Sequence, residues 1–237
     1  MILRIAAEKR HLAVSSGSRN FVLFSYGDFF EPGNIRWGSL RFMNDVLLEP
    51  GHSLPPADHD QLEVVTIVVA GEVRQRLPAC PPIRLRAGDA GVVSGAMGFQ
   101  HVETNGTTEQ AHLYQLGFFP RGTGMPLSHA ERSVGTLRSP GMLTPVASGC
   151  GLASALPMNA EATVFLGCVE ACRMMERELR EDVSVVVYVI RGSVTVNGVS
   201  CETGDQARVA NESDLLIGGI DRSEFVLVEG MAPRSLR

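Results

Sequence analysis

The strongest constraint on this chain is an internal repeat of short β signals. Val64 to Ala70 is a dense β-branched run, Gly71 opens a turn into Glu72-Val73-Arg74, and Gly88-Asp89 follows. The same series returns as Val183 to Ile190, Gly192, Ser193-Val194-Thr195-Val196 and Gly204-Asp205. Gly71 and Gly192 are 121 residues apart, and Gly88 and Gly204 are 116 apart. A near-constant offset over two landmarks, each marking a strand and its turn, predicts two copies of one β module. Two antiparallel barrels explain the landmarks and leave few open sheet edges.

Composition agrees. Of 237 residues 44% are hydrophobic and 20% charged, too apolar for a disordered chain. Aromatics make up only 6%, so the core should be aliphatic and sheet-rich. The 21 cations are outnumbered by 26 carboxylates, and all but Lys9 are arginines scattered along the chain. No basic stripe follows a phosphate backbone, so direct nucleic-acid binding is not expected. The longest apolar runs, Val64 to Ala70 and Val185 to Ile190, fall well short of the ~20 residues needed to cross a bilayer. No secretory apolar segment follows Met1, and the five cysteines show no Cys-x-x-Cys pair. The expectation is a cytoplasmic protein with reduced thiols and no membrane partner.

Further strands are predicted at Phe21 to Phe24, Leu40 to Leu48, Ile83 to Arg86 and Ala111 to Phe119. From Pro120 to about Asn159 the chain is rich in Gly, Pro, Ser and Thr, and is expected to be a long connection. Cys168, Cys172, Met175 and Leu179 recur at helical spacing. Their place ahead of a strong strand argues for β, and a strand is expected.

Several segments carry a family resemblance. Gly51-x5-Ala57-Asp58-His59-x3-Glu63 and Gly98-Phe99-Gln100-His101-Val102-Glu103-Thr104-Asn105 resemble the two cupin motifs in their pirin variant. Phe24-Ser25-Tyr26, Asp28-Phe29-Phe30, Leu40-Arg41-Phe42-Met43-Asn44-Asp45 and Leu113-Tyr114-Gln115-Leu116 are similar to flanking pirin segments, as is the hairpin Val194 to Val199. The resemblance implies an all-β bicupin, two antiparallel jelly-roll barrels with little helix. Its halves would be an N-terminal cupin at 1–130 and a metal-free C-terminal cupin at 131–237, with room for N-terminal strands to cross between them. No histidine follows His129, consistent with a second cupin that holds no metal.

In the pirin family four side chains bind one metal, and the matching positions here are Ala57, His59, His101 and Glu103. A methyl group cannot donate. Asp58 should face away in any strand it occupies, and His52 and Asp60 are out of phase with the motif. What remains, His59, His101 and Glu103, has the ligand types of the facial triad that holds non-haem Fe(II). The resemblance therefore implies one divalent transition metal, Fe(II) or else nickel or another ion, weakly bound or absent because of Ala57. Glu103 is also the catalytic candidate. The implied activity is dioxygenation of a small aromatic or flavonol-type substrate, like that of quercetin 2,3-dioxygenases, in a pocket with Phe42, Val64 and Phe99 among its apolar lining. A ligand-binding or regulatory pirin without catalysis, with a protein partner that cannot be named, is the alternative; an isomerase or sugar-binding cupin is a third. His11, His112 and His129 are expected to be ordinary structural histidines.

Overall fold

The computed structural model describes residues 1–78, 80–95, 99–123, 126–135 and 139–232. Apart from one short 3-10 turn at Ala7–Lys9, the regular structure of the described residues is β throughout. The chain divides into two compact units. One comprises His11–Thr136 with Leu156–Ala160; the other comprises Met1–Arg10, Leu137–Ala155 and Glu161–Arg237. Met1–Arg10 belongs to the second unit because Ile2–Ile5 pairs antiparallel with Gln206–Val209.

In the first unit a large sheet runs Ser128–Ser133, Asp89–Ser94, Glu63–Ala70, Ala111–Phe118, Leu40–Leu48, Ser18–Val22 and His11–Ser15. A smaller sheet runs Ala57–His59, Phe99–Thr104, Glu72–Arg76 and Ile83–Arg86. The second unit repeats this order. Ile2–Ile5, Gln206–Ala210, Val183–Arg191, Ser223–Met231, Ala162–Val169 and Met142–Ser148 follow one another in the large sheet; Met174–Glu178, Asp214–Gly219, Ser193–Val196 and Val199–Glu202 form the small one. The repeat predicted from the glycine landmarks is thus a repeat of strand order.

Its hydrogen bonds repeat as well. Gly88 N–H donates to Val68 O at 2.9 Å, and Gly204 N–H to Val189 O at 2.8 Å. Gly71 and Gly192 both take left-handed φ, +71° and +87°. A Cβ at Gly71 would lie 2.8 Å from the Gln110 carbonyl, and one at Gly192 2.4 Å from Ser223 Oγ. Only glycine meets both demands, which is why the landmarks survive in both copies.

Each unit has its own apolar core. Phe42, Val46, Leu48, Val64, Val68, Val73, Leu85, Val93 and Leu113 fill the first. Val185, Val187, Val189, Val194, Ile217, Phe225 and Leu227 belong to the second. Both are mainly aliphatic, as the composition implies.

The stretch from Pro120 to Asn159, expected as a long connection, contains the strands Ser128–Ser133 and Met142–Ser148. Ser128–Ser133 lies at a sheet edge with almost every side chain exposed, so it carries no apolar alternation to read. Met142–Ser148 is interrupted by a register shift between Pro145 and Ala147. The segment with helical spacing is extended: Ala162–Val169 ends near Cys168, Cys172 takes φ +58° in the turn, and Met174–Glu178 pairs with Asp214–Gly218. Tertiary pairing overrides the local propensity.

Candidate functional site

The site lies within the first unit, between its two sheets. Ala57–His59 pairs antiparallel with Phe99–His101, placing Phe99 opposite His59, Gln100 opposite Asp58 and His101 opposite Ala57. Strand alternation turns Ala57, His59, Phe99, His101 and Glu103 to one face. Asp58 and Gln100 take the other, where Gln100 Nε2 donates to Asp58 Oδ1 at 3.0 Å. Asp58 is therefore no donor to the interior, as its phase predicts. His52 is exposed, with Nδ1 2.9 Å from the Pro50 carbonyl, and Asp60 is also exposed.

His59, His101 and Glu103 come together, each at most 3% exposed. The two imidazoles stack with centroids 4.8 Å apart. Phe99 and Phe42 flank His59 at 5.2 and 5.7 Å. Burial, and then the neighbouring His101, push the His59 imidazole down to about 3. His59 is thus neutral at physiological pH, with one ring nitrogen a donor and the other an acceptor. Neither has a partner, and nor does Nδ1 of His101. Orphaned buried polar atoms are costly, and three in one place are what a ligand-binding site would leave.

A cavity of about 480 Å³ opens above them, lined by Asn20, Tyr26, Asn44, Leu54, the Pro55-Pro56 pair, Gln115 and the motif residues. Burial pushes the Tyr26 phenol up, so it stays neutral. Asn20 Oδ1 and Asn44 Oδ1 also lack partners. Among the described residues no Lys or Arg lines the cavity. The apolar lining expected from the sequence is not found: Phe42, Val64 and Phe99 all belong to the core, and Phe42 and Phe99 touch the site only by packing on His59.

Glu103 is held differently from the histidines. Gln75, its cross-strand partner, donates Nε2 to Oε1 at 2.6 Å, and Thr66 donates Oγ1 to the same oxygen at 3.0 Å. Gln115 donates Nε2 to Oε2 at 2.5 Å. Thr66 also accepts from Gln75 Nε2 at 2.9 Å. Thr66 and Gln115 are themselves cross-strand partners, with Asn44 on the other side of Gln115, so one polar row crosses the large sheet beneath Glu103.

The oxygen facing His101 Nε2, 3.8 Å away, is Oε1, which already accepts two hydrogen bonds. A carboxylate offers about four acceptor directions, two per oxygen. The side of Glu103 turned to the histidines is therefore saturated, and Ala57, beside them on the same face, offers only a methyl. Among the described residues no group of three or more His, Cys, Asp or Glu is arranged to hold a metal ion. The donor set as folded does not fit a resident metal.

The fold and the paired motif strands can be set beside known proteins. Residues 6–117 match the family model described as Pirin, and residues 145–229 match the one described as Quercetinase C-terminal cupin domain. A "Pirin-like protein" of Caulobacter vibrioides is 30% identical over 87% of this chain and 89% of its own. This chain belongs to the pirin family. It is a bicupin, and its two β-sandwich units are the two cupin domains. "Quercetin 2,3-dioxygenase" of Escherichia coli strain K12 is 26% identical over 96% of this chain and 97% of its own. Among solved structures, the bacterial pirin YhhW from Escherichia coli in complex with nickel(II) matches this pirin with a TM-score of 0.90 at 24% identity, covering 98% of this chain and 100% of that one.

Reasoning from the sequence did not single out Thr66, Gln75 or Gln115. The signal was present. Each is a lone uncharged polar residue at an inward phase of its strand, as Gln115 is between Leu113 and Gly117. Of the other histidines, His112 Nε2 lies 2.7 Å from Asp45 Oδ1, His11 stacks on Phe29, and His129 is exposed on an edge strand. The five cysteines form no disulfide. No helix among the described residues is long and apolar enough to cross a membrane.

Proposed function

We infer that this pirin is a small-molecule-binding cupin that takes an uncharged, hydroxylated aromatic ligand in its first unit without requiring a metal. The observation that carries this is the pair of buried imidazoles, His59 and His101, with three unpartnered nitrogens at a roomy cavity. The neutral His59 ring both donates to a ligand hydroxyl and accepts from one. Asn20 and Asn44 add two acceptors, and the Leu54-Pro55-Pro56 wall covers a ring face. With no cation among the described lining residues and Glu103 close by, a carboxylate or phosphate ligand is disfavoured. The relatives named quercetin 2,3-dioxygenase support a flavonol as the ligand class.

The second reading is metal-dependent flavonol dioxygenation, with His59, His101 and Glu103 as ligands. The orphaned imidazole nitrogens and the nickel complex of the Escherichia coli pirin favour it. The Ala57 methyl and the saturated Oε1 of Glu103 oppose it.

Titration of quercetin into chelator-treated protein, with dioxygen uptake followed before and after adding Fe(II) or nickel, separates the two. The expected result is saturable binding in the presence of chelator and no metal-dependent dioxygen consumption. Binding that vanishes on chelation, or quercetin-dependent uptake restored by metal, would give the site to the dioxygenase reading.

A further inference from the structure

We propose that Gln75, Gln115 and Thr66 take the place of a metal cation as the counter-charge of Glu103, so that this pocket is assembled by side-chain donors alone. Glu103 is 1% exposed in the interior of the sandwich. An ionised carboxylate so buried is strongly disfavoured unless a cation or several donors compensate it. Among the described residues no Lys or Arg lines the cavity. Compensation comes from three neutral donors at 2.5 to 3.0 Å, placed by the register of three strands. Gln75 is directly opposite Glu103 in the small sheet, and Thr66 and Gln115 are directly opposite each other in the large one.

The arrangement is closed. Thr66 Oγ1 receives a hydrogen bond from Gln75 and passes one to Glu103, so its donor and acceptor roles are both used. The amide orientations follow from chemistry, since a carboxylate can be met only by the NH2 ends of Gln75 and Gln115. That orientation leaves Gln75 Oε1 buried without a partner, so the second end of that amide is sacrificed to serve Glu103. The methyl at Ala57 and the donors around Glu103 then belong together: a site with two imidazoles and one carboxylate keeps its buried charge satisfied by amides and a hydroxyl.

These three are positioning residues, acting on the ligand pocket through Glu103. The test uses no organic ligand, so its failure is distinct from a failure to bind quercetin. Thermal unfolding is measured for wild type, Gln75→Leu, Thr66→Val, Glu103→Gln, and each donor variant combined with Glu103→Gln, all with chelator or with equimolar nickel(II). Wild type is expected to melt at the same temperature in both conditions. Gln75→Leu or Thr66→Val should lower the midpoint by about 5 °C, a drop typical of one lost buried hydrogen bond to a charge in a chain of this size. In the Glu103→Gln background the same substitution should cost less than half as much, because the charge that needed the donor is gone. Thr66→Val is nearly isosteric and serves if Gln75→Leu does not fold. A wild-type midpoint that rises several degrees with nickel and falls with chelator would overturn the proposal. So would a donor substitution that costs the same with and without the charge at position 103.

Discussion

Ala57 and His101 face each other as cross-strand partners in the small sheet of the first unit. Their Cβ atoms share one face, where directly opposed residues of an antiparallel pair lie about 5 Å apart. A histidine side chain introduced at position 57 therefore has room to reach the same space as the rings of His59 and His101. Ala57→His should raise nickel(II) affinity at least ~10-fold, about 1.4 kcal/mol, measured by isothermal titration. The gain should vanish when His101→Ala is added. Unchanged affinity would mean that the small sheet does not hold these positions in the register described.

Glu63 should matter to stability and not to ligand chemistry. Its carboxylate accepts from Ser94 Oγ at 2.6 Å, from both Asn159 nitrogens, and from the Ala160 N–H at 2.7 Å, all within the first unit. Glu63→Gln turns an NH2 towards donors that need an acceptor. Urea unfolding should show a loss of about 1–3 kcal/mol, with quercetin affinity little changed. A neutral effect would mean that Leu156–Ala160 is held by other contacts.

A glycine faces a phenylalanine across neighbouring strands in each unit. Gly117 lies opposite Phe42, and Gly167 opposite Phe225. A Cβ at Gly117 would lie 2.0 Å from the Phe42 ring, and one at Gly167 2.3 Å from the Phe225 ring. Each Gly→Ala substitution should destabilise by about 1–3 kcal/mol through overpacking. The two should differ in binding. Phe42 packs against Tyr26 at 4.8 Å and His59 at 5.7 Å, so Gly117→Ala should also weaken quercetin binding, whereas Gly167→Ala should not. Equal effects on binding would contradict a site confined to the first unit.

Thiol reactivity should divide the cysteines by burial. Burial, with a smaller push from Asp205, raises the Cys201 thiol to about 11; burial also raises Cys168. With a pKa near 11 only about a thousandth of Cys201 is thiolate at pH 8, so an aromatic disulfide reagent should not reach it before unfolding. Cys150 and Cys172, both exposed, should react in the fast phase. Fast modification of Cys201, mapped by mass spectrometry, would contradict the packing of the second unit.

The sequence by itself determined the β class, the duplication and the inward phase of the motif residues, because each is a local property. β-branched runs, left-handed glycines at turns and period-two alternation need no distant partner to be read. Met1–Arg10 going with the later unit, and Ser128–Ser133 being a strand at all, depended on pairing over long separations, which leaves little trace in an exposed edge strand. The state of Glu103 was equally a tertiary matter. Its donors come from three strands at positions 66, 75 and 115, and only the register that stacks Gln75 on Glu103 and Thr66 on Gln115 turns three scattered polar residues into the counter-charge of one buried carboxylate.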